Sequence, residues 1–430
     1  MRIKRLLFVV LLACSSLSTQ AQEGVWKGEL DVQGNKLPLV FHFSESGCTM
    51  DSPSQGAKGI PAQKETLADG SVRVTIAAIG AIFDGKKKGT VIEGSFSQMG
   101  LVMPLTLTAG AQQVNRPQTP VPPFPYTEEE VSFTNDGFTF AGTLVLPEHY
   151  DKHTPVVVMV TGSGLQNRDE EIFDHKPFAV IADALARHGI ASFRYDDRGY
   201  GVEGYRMDAF TTNDFKSDAQ VALRLMRERF GKVGVLGHSE GGTIALMMAE
   251  EGLPDFVVTL AAMAVPGKET LMRQNRDLMG SMGLPPNVLE DCCKVVQHAL
   301  EALAEGENVK DLSFEGIPSE LKPAFESSIR QCDTPYFRYL LNLDVSKSLG
   351  KVKCPVLALN GTKDIQVDCV SNIQMLESGL TNSQHQIKTF EGLNHLFQHC
   401  TTGSVLEYQQ IEETIAPEVL QTIIGWLEAL

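Results

Sequence analysis

Residues 237–241 read Gly-His-Ser-Glu-Gly, and their flanks restrict the fold of this chain more than any other stretch. Before them lies Lys232-Val233-Gly234-Val235-Leu236, a short apolar run that reads as a buried strand. After them lies Gly242-Thr243-Ile244-Ala245-Leu246-Met247-Met248-Ala249, rich in helix formers. A serine between a strand and a helix, with a glycine two residues away on each side, fits a sharp strained turn. Strand and helix can then crowd the serine without Cβ clashes. Such a turn puts the hydroxyl at the carboxyl end of a parallel sheet, at a helix N-terminus whose dipole favours negative charge. In a chain with 38 glycines the bare Gly-x-Ser-x-Gly pattern arises by accident, so the strand and helix give it meaning.

From residue 126 onward strands and helices alternate, as in a parallel α/β sheet. An antiparallel hairpin is expected first, from runs 130–133 and 138–146 joined through Asn135-Asp136-Gly137. Further strands are expected at 155–160, 190–195, 256–260, 355–359 and 386–390, with helices near 176–188, 214–229 and 417–430. The rhythm breaks across 267–349, a helical-looking insertion that would sit over the carboxyl ends of the strands as a lid. Upstream, 22–115 reads as a small antiparallel barrel or sandwich, opened by a hairpin around Gln33-Gly34-Asn35. It holds no cluster of acids, histidines or cysteines that suggests chemistry. A chain trimmed to about Pro120 is therefore expected to keep its activity. Five prolines within 116–125 make a semi-rigid linker between the two parts.

The formal charge of −16 argues against nucleic acid and anionic lipid as partners. Residues 1–21 read as a signal peptide: Arg2, Lys4 and Arg5, then an apolar run over 6–13, then Thr19 and Ala21 before a cut at Gln22. Eight apolar residues are too few for a bilayer, which needs about 20. Export to the periplasm or the medium is expected. Leu11-Leu12-Ala13-Cys14 also resembles a lipobox, so anchoring to a membrane through a lipid on Cys14 is the alternative. Seven of the eight cysteines follow this leader, and no Cys-x-x-Cys occurs, which gives metal or dithiol chemistry little support. Buried small thiols with one or two bridges are expected.

Five pieces carry a wider pattern. They are Thr161-Gly162-Ser163-Gly164 running on to Arg168-Asp169-Glu170, Tyr195-Asp196-Asp197-Arg198-Gly199, Gly237 to Gly242, Asn360-Gly361-Thr362-Lys363-Asp364, and Asn394-His395. In this order and spacing, 126–430 resembles the α/β-hydrolase superfamily, and more closely its exported bacterial carboxylesterases. The resemblance implies the α/β-hydrolase fold, a Ser-Asp-His triad and hydrolysis of an acyl bond. The β module lies outside it.

A serine hydroxyl needs a base within hydrogen-bond reach, itself oriented by a third group. With Ser239 as nucleophile, the acid should follow the next-to-last strand and the histidine the last one. Asp364 stands at the family's Gly-x-x-Asp position, with Asp368 as its rival. His395 follows the last strand, while His399 would fall on the next helix and point elsewhere. The oxyanion needs two preplaced donors: the backbone N–H of Glu240, and one from Ser163 or Gly164. The Glu240 side chain either binds a polar substrate group or, as the plainer expectation, pairs with a nearby arginine. Arg168-Asp169-Glu170 and Asp197-Arg198 look like loop-fixing ion pairs. Three aromatics within 334–341 either dock a helix on the core or wall an acyl pocket.

These readings converge on a secreted serine carboxylesterase acting on a small-molecule ester, with no cofactor or metal called for. A peptidase of the same fold is the alternative. A silent binding protein, its β module holding a glycan, is a second.

Overall fold

Apolar runs become strands here wherever a second face exists to bury them, and two separate cores result. The computed structural model describes residues 24–430 apart from 33–34, 45–46, 68–70, 89–90, 99, 111–114, 203–208, 282–283, 310–311, 316, 320–321 and 382–383. The expected leader, Cys14 and the tip residues Gln33 and Gly34 lie outside the described residues.

The first core is a closed antiparallel barrel of β1 (Val25–Val32), β2 (Asn35–Phe43), β3 (Cys48–Ser52), β4 (Ala57–Thr66), β5 (Ser71–Ile76), β6 (Ala81–Lys88), β7 (Val91–Gln98) and β8 (Leu101–Ala109). Strand β8 returns to β1, pairing Trp26 with Ala109, so the sheet has no free edge. Alternate residues point inward, and Leu30, Phe41, Val74, Phe83, Phe96 and Leu107 fill the interior. Gly94 faces Gly85 across β6 and β7, where a Cβ at Gly94 would stand 2.1 Å from the Asp84 carbonyl oxygen. That approach admits only glycine.

The second core surrounds an eight-stranded sheet. Its strands are β9 (Tyr126–Asn135), β10 (Phe138–Pro147), β11 (Val156–Val160), β12 (Ala191–Tyr195), β13 (Val233–His238), β14 (Val257–Leu260), β15 (Val356–Gly361) and β16 (Gln386–Phe390). Across the sheet they run β16-β15-β14-β13-β11-β12-β10-β9. The hairpin β9–β10 is antiparallel at one edge, and everything from β12 to β16 is parallel. Helices α1 (Pro177–Arg187), α2 (Thr212–Arg227) and α3 (Glu240–Glu250) follow β11, β12 and β13. The continuous apolar run of β11 serves both faces: Val156, Val158 and Val160 meet residues of α2 and α3, while Val157 and Met159 meet α1. This is the α/β-hydrolase fold.

Between β14 and β15 the chain forms α4 (Gly267–Ser281), α5 (Pro286–Glu305), α6 (Lys322–Gln331) and α7 (Pro335–Asn342). Phe325, Ile329, Tyr336 and Phe337 bury there in one cluster with Ile244 of α3, so the insertion is packed onto the sheet body. Helices α8 (Cys369–Gly379) and α9 (Pro417–Glu428) close the chain. No helix among the described residues is long and apolar enough to cross a membrane. None of the seven described cysteines is disulfide-bonded, so the one or two expected bridges are not formed among the described residues.

Arg198 leaves β12 with its guanidinium buried. Its Nε and Nη2 meet the two Asp218 oxygens at 2.7 Å each, and the guanidinium lies against the rings of both Phe138 and Phe210. A buried pair broken on one side leaves an uncompensated charge, at a cost of about 3–5 kcal/mol. Arg198→Met is expected to lower stability to urea by that order, whereas Arg187→Met, at an exposed pair with Asp183, should change it by less than about 1 kcal/mol.

Candidate active site

The turn after β13 adopts the conformation its sequence calls for. Ser239 sits at φ 52° and ψ −119°, a region that costs an L-residue about 1–3 kcal/mol. Its own N–H donates to the Leu260 carbonyl at 2.8 Å, which fixes the turn to β14. The flanking glycines leave no room for a side chain: a Cβ at Gly237 would lie 2.0 Å from Gly241 O, and one at Gly241 would lie 2.0 Å from Val160 O. Ser239 is half-buried, and the first amides of α3, those of Glu240 and Gly241, have no carbonyl within their own helix to meet.

His395 and Asp364 come from the loops after β16 and β15 and are both buried. Asp364 Oδ2 accepts from His395 Nδ1 at 2.7 Å. Its Oδ1 accepts from the backbone N–H groups of Gln366 and Val367 at 2.8 and 2.9 Å, so the carboxylate cannot turn away. With a proton held on Nδ1, Nε2 is left as the acceptor. The His395 ring centroid is 4.7 Å from that of His238, the residue before Ser239. No hydrogen bond joins Ser239 Oγ to this imidazole in the structure, a contact that is often long before substrate binds.

The two rivals take other partners. Asp368 caps α8, accepting from Ser371 N at 2.8 Å, and pairs with Arg273 at 2.8 Å. His399 is exposed and bound to Glu413 and Glu418. It lies in a loop rather than on the helix expected there, because α9 begins only at Pro417.

Ser163 and Gly164 stand in the loop leaving β11, where a Cβ on Gly162 would lie 3.3 Å from that of Ser239. Two buried carboxylates hold this loop. Asp197 accepts from Thr161 Oγ1 at 2.9 Å and Gln166 N at 2.7 Å. Glu170 Oε1 accepts from Gly162 N at 2.6 Å and faces His238 Nδ1 at 3.0 Å. The arginines expected to pair with these acids go elsewhere: Arg168 to Asp196 and Glu130, Arg198 to Asp218. Burial pushes the Asp197 carboxyl well above the usual range.

Glu240 also lacks its expected arginine. Arg198 is already committed, and the Glu240 carboxyl turns toward the lid, accepting from the Tyr336 hydroxyl of α7 at 2.5 Å. Burial raises its pKa against the opposing pull of the Thr212, Tyr336 and Ser163 hydroxyls around it. The aromatic helix α7 thus docks on the core through Tyr336 and Phe337, while Tyr339 is half-buried. Through Tyr336 it also touches the residue next to Ser239. Sequence reasoning assigned Glu170 and Asp197 to ion pairs and left Tyr336 between core and pocket wall, without its contact to Glu240; a motif marks residue type and leaves the partner open.

Part of the chain is similar to known proteins. Residues 175–310 match the family described as serine aminopeptidase, S33, a span that includes Ser239 but stops before Asp364 and His395. The chain is 30% identical over 275 residues to esterase EstD of Thermotoga maritima, across 63% of this chain and 61% of that protein. It thus spans about three-fifths of the length of that relative. Among solved structures it is similar to Est1E from Butyrivibrio proteoclasticus, at 14% identity and a TM-score of 0.42, over 70% of this chain and 98% of that one. Pyrococcus furiosus esterase Pf2001 gives 14% and 0.44, over 74% and 98%.

His238 offers a direct electrostatic check. Both ring nitrogens face acceptors, Glu170 Oε1 and the His395 carbonyl oxygen, each at 3.0 Å, which suits an imidazolium. Burial alone would lower its pKa, but the Glu170 carboxylate and these hydrogen bonds together hold it above the ordinary 6.5. A raised histidine adds stability below its unfolded pKa and loses it as pH rises through the folded pKa. The gap in melting temperature between wild type and Glu170→Gln is therefore expected to be widest near pH 6 and to narrow toward pH 9. A gap independent of pH would show that His238 is neutral throughout.

Proposed function

We propose that the chain is an exported serine hydrolase that cleaves carboxylic esters through an acyl-enzyme. The observation that carries this reading is the buried 2.7 Å contact of Asp364 with His395 Nδ1, one loop away from a serine held in a strained strand-to-helix turn. In this mechanism Ser239 Oγ attacks the ester carbonyl carbon while His395 Nε2 takes the hydroxyl proton. The carbonyl oxygen gathers negative charge in front of the Glu240 N–H and that of Ser163 or Gly164. As the C–O bond to the alcohol breaks, His395 returns the proton to the leaving oxygen. Water, activated by the same imidazole, then attacks the acyl carbon, and the carboxylic acid departs with Ser239 restored. Asp364 keeps the imidazole in the tautomer this exchange requires. No metal or cofactor enters any step.

The likeness to esterase EstD supports the ester reading, and the leader at 1–21 supports export, with a lipid on Cys14 as the alternative. A peptidase reading is kept because the matched family is described as a serine aminopeptidase. The two share all chemical steps and differ only in the pocket.

A panel of nitrophenyl esters against amino-acid nitroanilides separates them. Esters are expected to turn over and nitroanilides not; the reverse would make the protein a peptidase. On the preferred ester, Asp364→Asn is expected to lower kcat by roughly 10⁴-fold, as loss of the orienting acid does in such triads. Asp368→Asn should stay within about threefold, since asparagine caps a helix as well as aspartate does. Equal losses at the two positions would overturn the assignment of Asp364.

A further inference from the structure

The proline-rich linker does not hang free. Arg116 inserts its guanidinium between two loops of the sheet body and donates to backbone carbonyls of both. Nη2 and Nε reach Phe173 O at 2.7 and 3.2 Å, Nη1 reaches Ile411 O at 2.7 Å, and Nη2 also reaches Gln409 O at 2.9 Å. Gln118 adds a second hold on the later loop, accepting from Thr414 N and donating to Ile415 O.

Each of these loops braces one half of the site. The first carries Glu170, Phe173 and Asp174 at φ 52°, 52° and 63°, three non-glycine residues in the left-handed region within five positions. Such backbone persists only where its surroundings impose it. Glu170 is the residue that holds Gly162 N and faces His238. The second loop runs beneath His395. Its Tyr408 hydroxyl accepts from Gln366, whose N–H binds Asp364. Its Glu413 carbonyl accepts from Gln398, which is tied in turn to Asn394. His175 joins the two loops once more, through Thr414 Oγ1 at 2.9 Å and Tyr408 O at 3.0 Å. From the barrel side, Lys58 meets Asp174 at 3.2 Å, and the Lys36 carbonyl accepts from Gln410.

We propose that Arg116 is a positioning residue for the reaction: it locks the loop under the oxyanion donors to the loop under His395 and Asp364. The linker is then part of the catalytic apparatus. This reverses the expectation that a chain trimmed to about Pro120 keeps its activity, because the cut removes Arg116 and Gln118. The proposal rests on the ester-hydrolysis reading for its kinetic arm alone.

The test uses the full chain as wild type, Arg116→Ala, Arg116→Lys and Asn115→Ala, the last beside the clamp with its side chain on exposed Glu412. Arg116→Ala is expected to fold, to lower kcat on a nitrophenyl ester at least tenfold, and to leave KM within about threefold. Millimolar guanidinium should restore much of that kcat. Lysine should not, since a single ammonium cannot span three carbonyls in two loops, and Asn115→Ala should match wild type. In parallel, hydrogen exchange in Arg116→Ala should speed up at 161–175 and 394–415 together. Wild-type kcat in folded Arg116→Ala would overturn the proposal. So would a loss that tracks the unfolded fraction and is not rescued by guanidinium. A wild type inert on every ester would sink the ester reading instead; unchanged exchange in both loops would then overturn the clamp by itself.

Discussion

One residue held against its own preference organises the half of the chain built on the eight-stranded sheet. Ser239 occupies φ 52° and ψ −119° because β13 and α3 must meet within a single residue beneath the carboxyl end of β11. That meeting needs backbone contact at Gly237 and Gly241 closer than any Cβ allows, and it needs the N–H of Ser239 committed to β14. Once these conditions are met, the other parts follow from the topology of a parallel sheet. The loops after β11, β15 and β16 open at the same end as the turn after β13, bringing residues 161–164, 364 and 395 around one serine.

Buried acids hold those loops in place, and their partners share a feature. Asp364, Asp197 and Glu170 each accept from backbone N–H groups, and the Glu240 carboxyl accepts from a tyrosine hydroxyl. Arginine is kept one layer further out, at Asp196, Asp169 and Asp218. Amide and hydroxyl partners position Asp364, Asp197 and Glu240 without an arginine beside the serine, and the charge favoured on His238 is answered by the Glu170 carboxylate. The cost is desolvation, visible in the raised pKa values of Asp197 and Glu240.

Much of this was legible in the sequence, for identifiable reasons. Continuous apolar runs such as 156–160 belong to strands buried on both faces, so the fold was legible, and the strand succession pointed to the loops that carry Ser239, Asp364 and His395. The barrel was legible only in part. β4 is Ala-Lys-Gly-Ile-Pro-Ala-Gln-Lys-Glu-Thr, and it pairs through its backbone while most of its side chains face solvent, so no apolar alternation marks it. Contacts between distant segments were not legible at all. Nothing in a local pattern says that Tyr336 meets Glu240, or that Arg116 binds carbonyls near 173 and 410, because backbone carbonyls carry no sequence signature. Glu170 and Asp197 lie close to Arg168 and Arg198 in the chain, a spacing that suggests ion pairs between them. In three dimensions those arginines found nearer acids, and the two carboxylates turned inward to the loop after β11.

The most direct test of this account is covalent capture of the serine. Purified protein treated with a fluorophosphonate, then digested and mapped by mass spectrometry, is predicted to carry one adduct, on Ser239. That adduct should vanish if the protein is unfolded before treatment, because only the assembled site activates the hydroxyl. An adduct on another residue, or native protein that takes up no probe at all, would contradict it.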